Sequence, residues 1–296
     1  MRPSERLTSV FLLALSAVTA AGAPGSAPLL LLAIAVALAG TWGLALAGVR
    51  SGLPGVVRDY LPVPIVFAVY QLLQPAIEAL NTRRWDGVLA ALDERWAAPL
   101  VEAWRGVLGR AAPFTDLVYA GYVSYYLLLV GSVVVVWFHR RDRYDGAVLT
   151  VLSGLYFSFA GYVAFPTSGP RLPAELEPSL GGGAVSEAVR AFLRTAEYTT
   201  LDAFPSGHTA CALVAAFAVG RAAPRWLWLF APWTALMIFA TVYIHVHYAF
   251  DVLGGLALAA LVIGLDRPLR RALGAEEAPA ADGGLGAAAP VRVRSS

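Results

Sequence analysis

A chain of 296 residues that is 58% hydrophobic and only 14% charged is not a water-soluble domain, where about 25% charge is usual; it reads as one membrane-embedded helical bundle. The formal net charge of +2 excludes a nucleic-acid binder that works by electrostatics, and the single cysteine, Cys211, excludes an internal disulfide. All 22 basic residues are arginines, so any contact to a phosphate or a lipid headgroup must use arginine, histidine or neutral donors.

Taken in chain order, residues 7–49 carry no charged side chain, enough for two crossings at about 20 apolar residues each. Ala23-Pro24-Gly25-Ser26-Ala27-Pro28 supplies the turn between them. Further apolar runs lie at 60–78, 117–138, 146–166, 206–221, 226–246 and 250–265, which makes eight predicted helices. The last run is short before Asp266, so its helix is expected to begin near His247 or Tyr248. The first run has a rival reading. Arg2 and Arg6, an apolar stretch and Ala21-Gly22-Ala23 resemble a signal peptide and its cleavage site, which would leave seven helices.

Residues 79–116 are not a span. Trp85, Val88, Leu89, Leu92, Trp96, Leu100 and Trp104 recur at helical spacing among charged residues, as in one or two amphipathic helices on the membrane surface. Such a segment either serves packing or covers a site. From residue 273 the chain is rich in Ala, Gly and Pro and is expected to be a disordered cytoplasmic tail. The expected organisation is two N-terminal helices over 1–50, a six-helix membrane domain over 51–272 and the tail over 273–296.

Loop charges orient the bundle. Arg2 and Arg6, then Arg50 and Arg58, then Arg140, Arg141 and Arg143, then Arg221 and Arg225, and last Arg267, Arg270 and Arg271 all fall on one face if crossings alternate. That face is assigned to the cytoplasm, with both termini inside. Residues 79–116, 167–205 and 245–251 then lie on the opposite, extracytoplasmic face of what is expected to be the plasma membrane.

That outer face holds three of the four histidines. Ionisable groups beside apolar spans are functional candidates by default. His247 and Asp251, four apart, share one helix face, where a carboxylate can fix the tautomer and leave the other ring nitrogen free to attack. A polar pair tying two helices together is the blander explanation. Pro205-Ser206-Gly207-His208 stands at a helix start, where backbone N–H groups face an anion; an ordinary N-cap explains Ser206 but not His208. Arg171, in the proline-stiffened stretch Phe165 to Pro173, suits a phosphate clamp, or else a snorkelling interfacial arginine. Together the three segments offer a nucleophile, its orienter, an acid and an anion clamp.

With these motifs the sequence resembles the type 2 phosphatidic acid phosphatase superfamily, over about residues 59–266. Pro205-Ser206-Gly207-His208 matches its second motif, His247 and Asp251 the ends of its third, and Arg171 its first. The resemblance implies a six-helix membrane core and no metal or cofactor. It implies His247 as nucleophile, Asp251 as its orienter and His208 as proton donor to the leaving oxygen. Arg171, Ser206 and the Gly207 N–H would hold the phosphate oxygens. Two cations usual in that family are absent, at Ala164 and Thr241, with His245 the candidate to supply one. Tyr119, Tyr122, Ser124, Tyr125 and Tyr126, and the stretch Thr241-Val242-Tyr243, are similar to the inositol phosphorylceramide synthase branch.

The expected function is hydrolysis of a lipid phosphomonoester or diphosphate through a phosphohistidine. The alternative is transfer of a phospho-headgroup, such as inositol phosphate, to a lipid alcohol. The implied partners are a lipid phosphate and membrane lipids, and no nucleic acid; oligomeric state is not read. A transporter or channel would need ionisable residues at mid-span, and these runs are uncharged there. A metal site of His208, His245, His247 and Asp251 is a further alternative.

Overall fold

The computed structural model describes residues 1–22, 28–108, 111–170, 180–196 and 200–275. Among them there is no β-strand; a lone parallel bridge joins Thr167 and Asp202. The protein is an all-helical bundle. The helices are α1 (Pro3–Gly22), α2 (Pro28–Leu46), α3 (Gly52–Tyr60), α4 (Pro62–Gln71), α5 (Gln74–Leu80), α6 (Asp86–Trp96), α7 (Ala98–Leu108), α8 (Ala112–Val123), α9 (Tyr125–His139), α10 (Tyr144–Ala164), α11 (Ala184–Ala196), α12 (Gly207–Ala222), α13 (Leu227–Tyr243) and α14 (Ala249–Leu273).

Six helical segments, α3–α4 counted as one, are long and apolar enough to cross a membrane. A seventh forms if α8 and α9, bent by 52° at Ser124, count as one span. The sixth predicted helix, 206–221, is present as α12 but has only 16 residues, about 24 Å of rise. It needs no lipid-facing length because it is the central helix, packed on α9, α10, α13 and α14. Ala210, Ala212, Ala215, Ala218 and Ala222 are buried along it, and small side chains let neighbouring helices approach closely.

Helix α14 starts where the sequence placed it, with Tyr248 as N-cap, but it does not end at Asp266. Asp266 is buried and paired with Arg221 and, at 2.8 Å, with Arg270 Nε; Thr150 Oγ donates to it from α10. These partners remove the cost of an unpaired charge, so the helix runs on to Leu273 and stops at Gly274 in the left-handed region.

The arginines do gather at one end of the bundle. Arg2 and Arg141 both pair with Asp59, and Arg58 with Glu5. Arg143 donates to the Arg221 carbonyl, and Arg6 to that of Leu273. Helix α1 belongs to this packing: Phe11 stacks on Tyr156 at 4.2 Å and Thr8 shares a hydrogen bond with the Tyr156 hydroxyl.

The opposite end carries the amphipathic helices. Residues 79–116 hold the two helices α6 and α7 at the tryptophan spacing, together with the end of α5 and the first turn of α8. The stretch 167–205 also holds α11, which packs on α8 and which the sequence reading did not anticipate. The predicted tail lies outside the described residues from 276 onward.

Candidate active site

The three motif segments meet at the end opposite the Asp59 and Asp266 ion pairs. Helix α13 stops when the Thr241 carbonyl accepts the N–H groups of both Val246 and His247 at 3.0 Å. His245 takes the left-handed conformation there, φ 57°, a position where glycine is usual. The chain then enters α14 through a capping box. Asp251 Oδ2 accepts the Tyr248 N–H at 2.9 Å and also lies 3.3 Å from His247 Nδ1. The carboxylate is thus held by the cap while it orients the imidazole. Both side chains are buried, His247 at 2% exposure and Asp251 at 0%.

With Nδ1–H directed to Asp251, His247 Nε2 keeps its lone pair. It points at His208, whose Nδ1 is 3.2 Å away. The His208 ring stacks on Tyr122 at 4.9 Å between centroids and lies 4.5 Å from Tyr125. The His208 ring is thus held by aromatic faces rather than by a carboxylate like that on His247.

Ser206 behaves as an N-cap: its Oγ accepts the Thr209 N–H at 3.2 Å. Its own N–H donates to the Asp251 carbonyl at 3.0 Å, so the starts of α12 and α14 form one hydrogen-bonded unit. Gly255 permits this approach, since a Cβ there would lie 2.6 Å from the Ser206 carbonyl oxygen. Gly207 is equally constrained; a Cβ would lie 1.9 Å from the Tyr162 hydroxyl.

Arg171 lies outside the described residues. The chain leading to it is well placed: Ala203 N–H donates to the Thr167 carbonyl at 2.9 Å, and a Cβ on Gly169 would meet the Val246 carbonyl at 2.6 Å. The first motif segment therefore rests against both the second and the third.

Helix α6 fastens these loops. Asp86 accepts the Ser168 and Gly169 N–H groups at 2.8 and 3.2 Å, and Asp93 accepts the Ala249 N–H at 2.7 Å. Burial raises the Asp93 pKa above the usual carboxylate value, against the lowering effect of the Ala249 and Phe250 N–H groups. The amphipathic segment is thus more than packing. Its two carboxylates went unnoticed in the sequence because period alone does not say which loops a polar face will meet.

His245 makes its side-chain contacts with α7, to Arg105 and, at 3.3 Å, to Glu102 Oε1. Arg105 Nη1 lies 2.7 Å from His245 Nε2 and 2.8 Å from Glu102 Oε1. A guanidinium can only donate, so the ring nitrogen accepts and the ring is neutral. Burial, helped by the Arg105 charge, pushes the His245 pKa down to about 4. The cation beside this turn is Arg105. Among the described residues no group of three or more His, Cys, Asp or Glu side chains converges as a metal site would.

An apolar cleft of about 180 Å³ reaches this site, between α4 on one side and α9 and α10 on the other. His208, Tyr162 and Asp202 line its upper end, Phe67, Leu129, Val133 and Leu152 its walls, and Asp59 and Tyr144 its far end. From Tyr144 to Tyr162, α10 rises about 27 Å, close to the thickness of a bilayer's hydrocarbon core.

A family model described as the PAP2 superfamily matches residues 88–265, which include both histidine motifs, the Arg171 segment and Asp93 of α6 but not Asp86. The chain belongs to the PAP2 superfamily. No curated protein and no solved structure matches the chain. The PAP2 match begins inside α6, so α1 to α5 lie outside it, although the sequence resemblance was drawn from about residue 59. Membership of the PAP2 superfamily and the membrane-type bundle together fit a lipid phosphatase.

Proposed function

We propose that the protein hydrolyses a lipid phosphomonoester or diphosphate through a phosphohistidine. The observation that carries this is the line Asp251, His247, His208: a tautomer-fixing carboxylate, a nitrogen with a free lone pair, and a second imidazole facing that nitrogen. His247 Nε2 would attack phosphorus as the bond to the lipid oxygen breaks, and His208 would give that oxygen its proton. His208, now a base, would take a proton from the water that splits the phosphorus–nitrogen bond, returning both imidazoles to their starting state. Asp251 would favour the positive charge that His247 acquires.

Arg171 would hold phosphate oxygens from the first motif segment. The Ser206 hydroxyl is engaged by Thr209 N–H, so Ser206 and Gly207 would serve mainly by shaping the start of α12. No metal or other cofactor enters this scheme. The lipid chain would lie in the cleft below His208. The arginine-rich end supports a cytoplasmic assignment, which puts the site on the extracytoplasmic side of the plasma membrane.

The cleft also supports a second reading, in the inositol phosphorylceramide synthase-like branch. An apolar channel ending at His208 could deliver a lipid hydroxyl where water would otherwise attack. A panel of lipid phosphates, with and without a lipid alcohol and read by mass spectrometry, tests both. Released phosphate supports hydrolysis, a new phosphodiester lipid supports transfer, and neither product would sink both.

A further inference from the structure

The Arg105 guanidinium is buried without enough partners. Its side chain is only 8% exposed. Nη1 serves His245 and Glu102, while Nε and Nη2 are buried and have no hydrogen-bond partner among the described residues. An arginine head is always charged and carries five N–H donors. Leaving such donors desolvated and unpaired costs more than leaving a neutral group so. A compact anion would satisfy both donors at once.

The surroundings narrow the choice. Glu102, the one carboxylate paired with Arg105, is 59% exposed and reaches only Nη1. His245 cannot compete for charge, because it meets Arg105 as a neutral acceptor. Its backbone is held at φ 57°, which costs a non-glycine residue stability, and its side chain is spent on Arg105. His245 is also two residues from His247, at most about 7 Å along the chain. A forked cation with its Nε–Nη2 edge open, fixed by a histidine in the turn that carries the nucleophile, suits a phosphate oxyanion.

We propose that Arg105 binds a phosphoryl oxygen at the rim of the active site, with His245 as the residue that positions its guanidinium. This rests on the phosphate-handling reading above and adds a contact from the amphipathic helix α7. The ligand is a phosphate oxyanion, either on the lipid substrate or as released inorganic phosphate.

The test uses the full-length protein in detergent. Thermal stabilisation by inorganic phosphate reads binding without turnover, and KM and kcat on a lipid phosphate in mixed micelles read the substrate. Arg105→Gln should raise KM roughly tenfold to a hundredfold, leave kcat within a few-fold, and weaken stabilisation by phosphate. Arg105→Lys should recover part of the loss. His245→Gly suits the left-handed backbone and so keeps the fold, yet it frees Arg105; it should raise KM with an unchanged or higher Tm. This variant carries the test if Arg105→Gln does not fold. A raised KM assigns the lipid phosphate as occupant, and a loss confined to the inorganic phosphate arm assigns the product. KM and phosphate stabilisation both unchanged in Arg105→Gln and His245→Gly would overturn the proposal. Wild-type protein that phosphate stabilises but that releases none from lipid would overturn the hydrolase reading alone.

Discussion

His208 Nδ1 lies 3.2 Å from His247 Nε2, so the two imidazoles close on each other in the space a phosphoryl group must enter. Near-attack geometry alone places a nucleophile about 3–3.5 Å from phosphorus, with the leaving oxygen beyond it. Substrate binding therefore has to part the rings. Of the pair, His247 is held by Asp251 and the α14 cap, whereas His208 is held by aromatic faces that allow sliding. His208 is the ring expected to move.

Asp251→Asn should lower kcat by about 10²–10⁴-fold, because an amide can donate to Nδ1 and favour the tautomer with no lone pair on Nε2. It should also cost about 1 kcal/mol of stability through the weakened capping box. Steady-state kinetics beside thermal denaturation check both; full activity in this variant would remove Asp251 from the mechanism.

His247→Ala should abolish phosphate release while leaving the protein folded. His208→Ala should cut the rate on an alkyl phosphate by about 10²–10⁴-fold and on a p-nitrophenyl phosphate by less, since a good leaving group needs no proton. Equal losses on the two substrates would contradict the assignment of His208 as acid.

The lowered pKa of His245 gives stability a defined pH dependence. Unfolded, the ring takes its proton near pH 6.5; folded, it resists down to about pH 4. Between those values the unfolded chain holds more protons, so stability falls as pH falls. The loss approaches about 3 kcal/mol near pH 4 and is absent above about pH 7. His245→Gly should flatten this part of a Tm-against-pH curve, and an unchanged slope would show that other groups set it.

Narrowing the cleft should separate chain recognition from chemistry. Val133→Trp fills the wall between α4 and α9 two turns along α9 from Tyr125, the neighbour of His208. Each displaced methylene of a lipid chain costs about 0.8 kcal/mol, so kcat/KM on long-chain lipids should drop tenfold or more. Activity on a short, soluble phosphate ester should persist. Parallel loss on both substrates would place the lipid chain elsewhere.

The spans were legible because lipid leaves so little choice of residue: the uncharged stretch 7–49 had to cross twice. The histidine segments were legible for the converse reason, since ionisable side chains there are so costly. Three features were hidden. The bend at Ser124 depends on its hydroxyl, which donates to the Gly121 carbonyl and accepts from Trp233 of α13. The last turns of α14 depend on Arg221 and Thr150, which meet Asp266 from distant parts of the chain. Arg105, Asp86 and Asp93 look like surface charges on an amphipathic helix until the fold turns them toward His245, Ser168 and Ala249. Side-chain partners set by tertiary contact leave no periodic trace.

The Arg6 link to the Leu273 carbonyl joins the first helix to the last, and Glu5 and Thr8 find their partners in Arg58 and Tyr156. During synthesis these groups emerge long before most of what satisfies them. The ribosome makes about 5–20 residues per second, so α1 waits in the membrane for the final helix for tens of seconds. The bundle consequently closes last at the seam between its two ends, and a chain stalled before Asp266 would display the unpaired arginines of an unfinished protein to quality control.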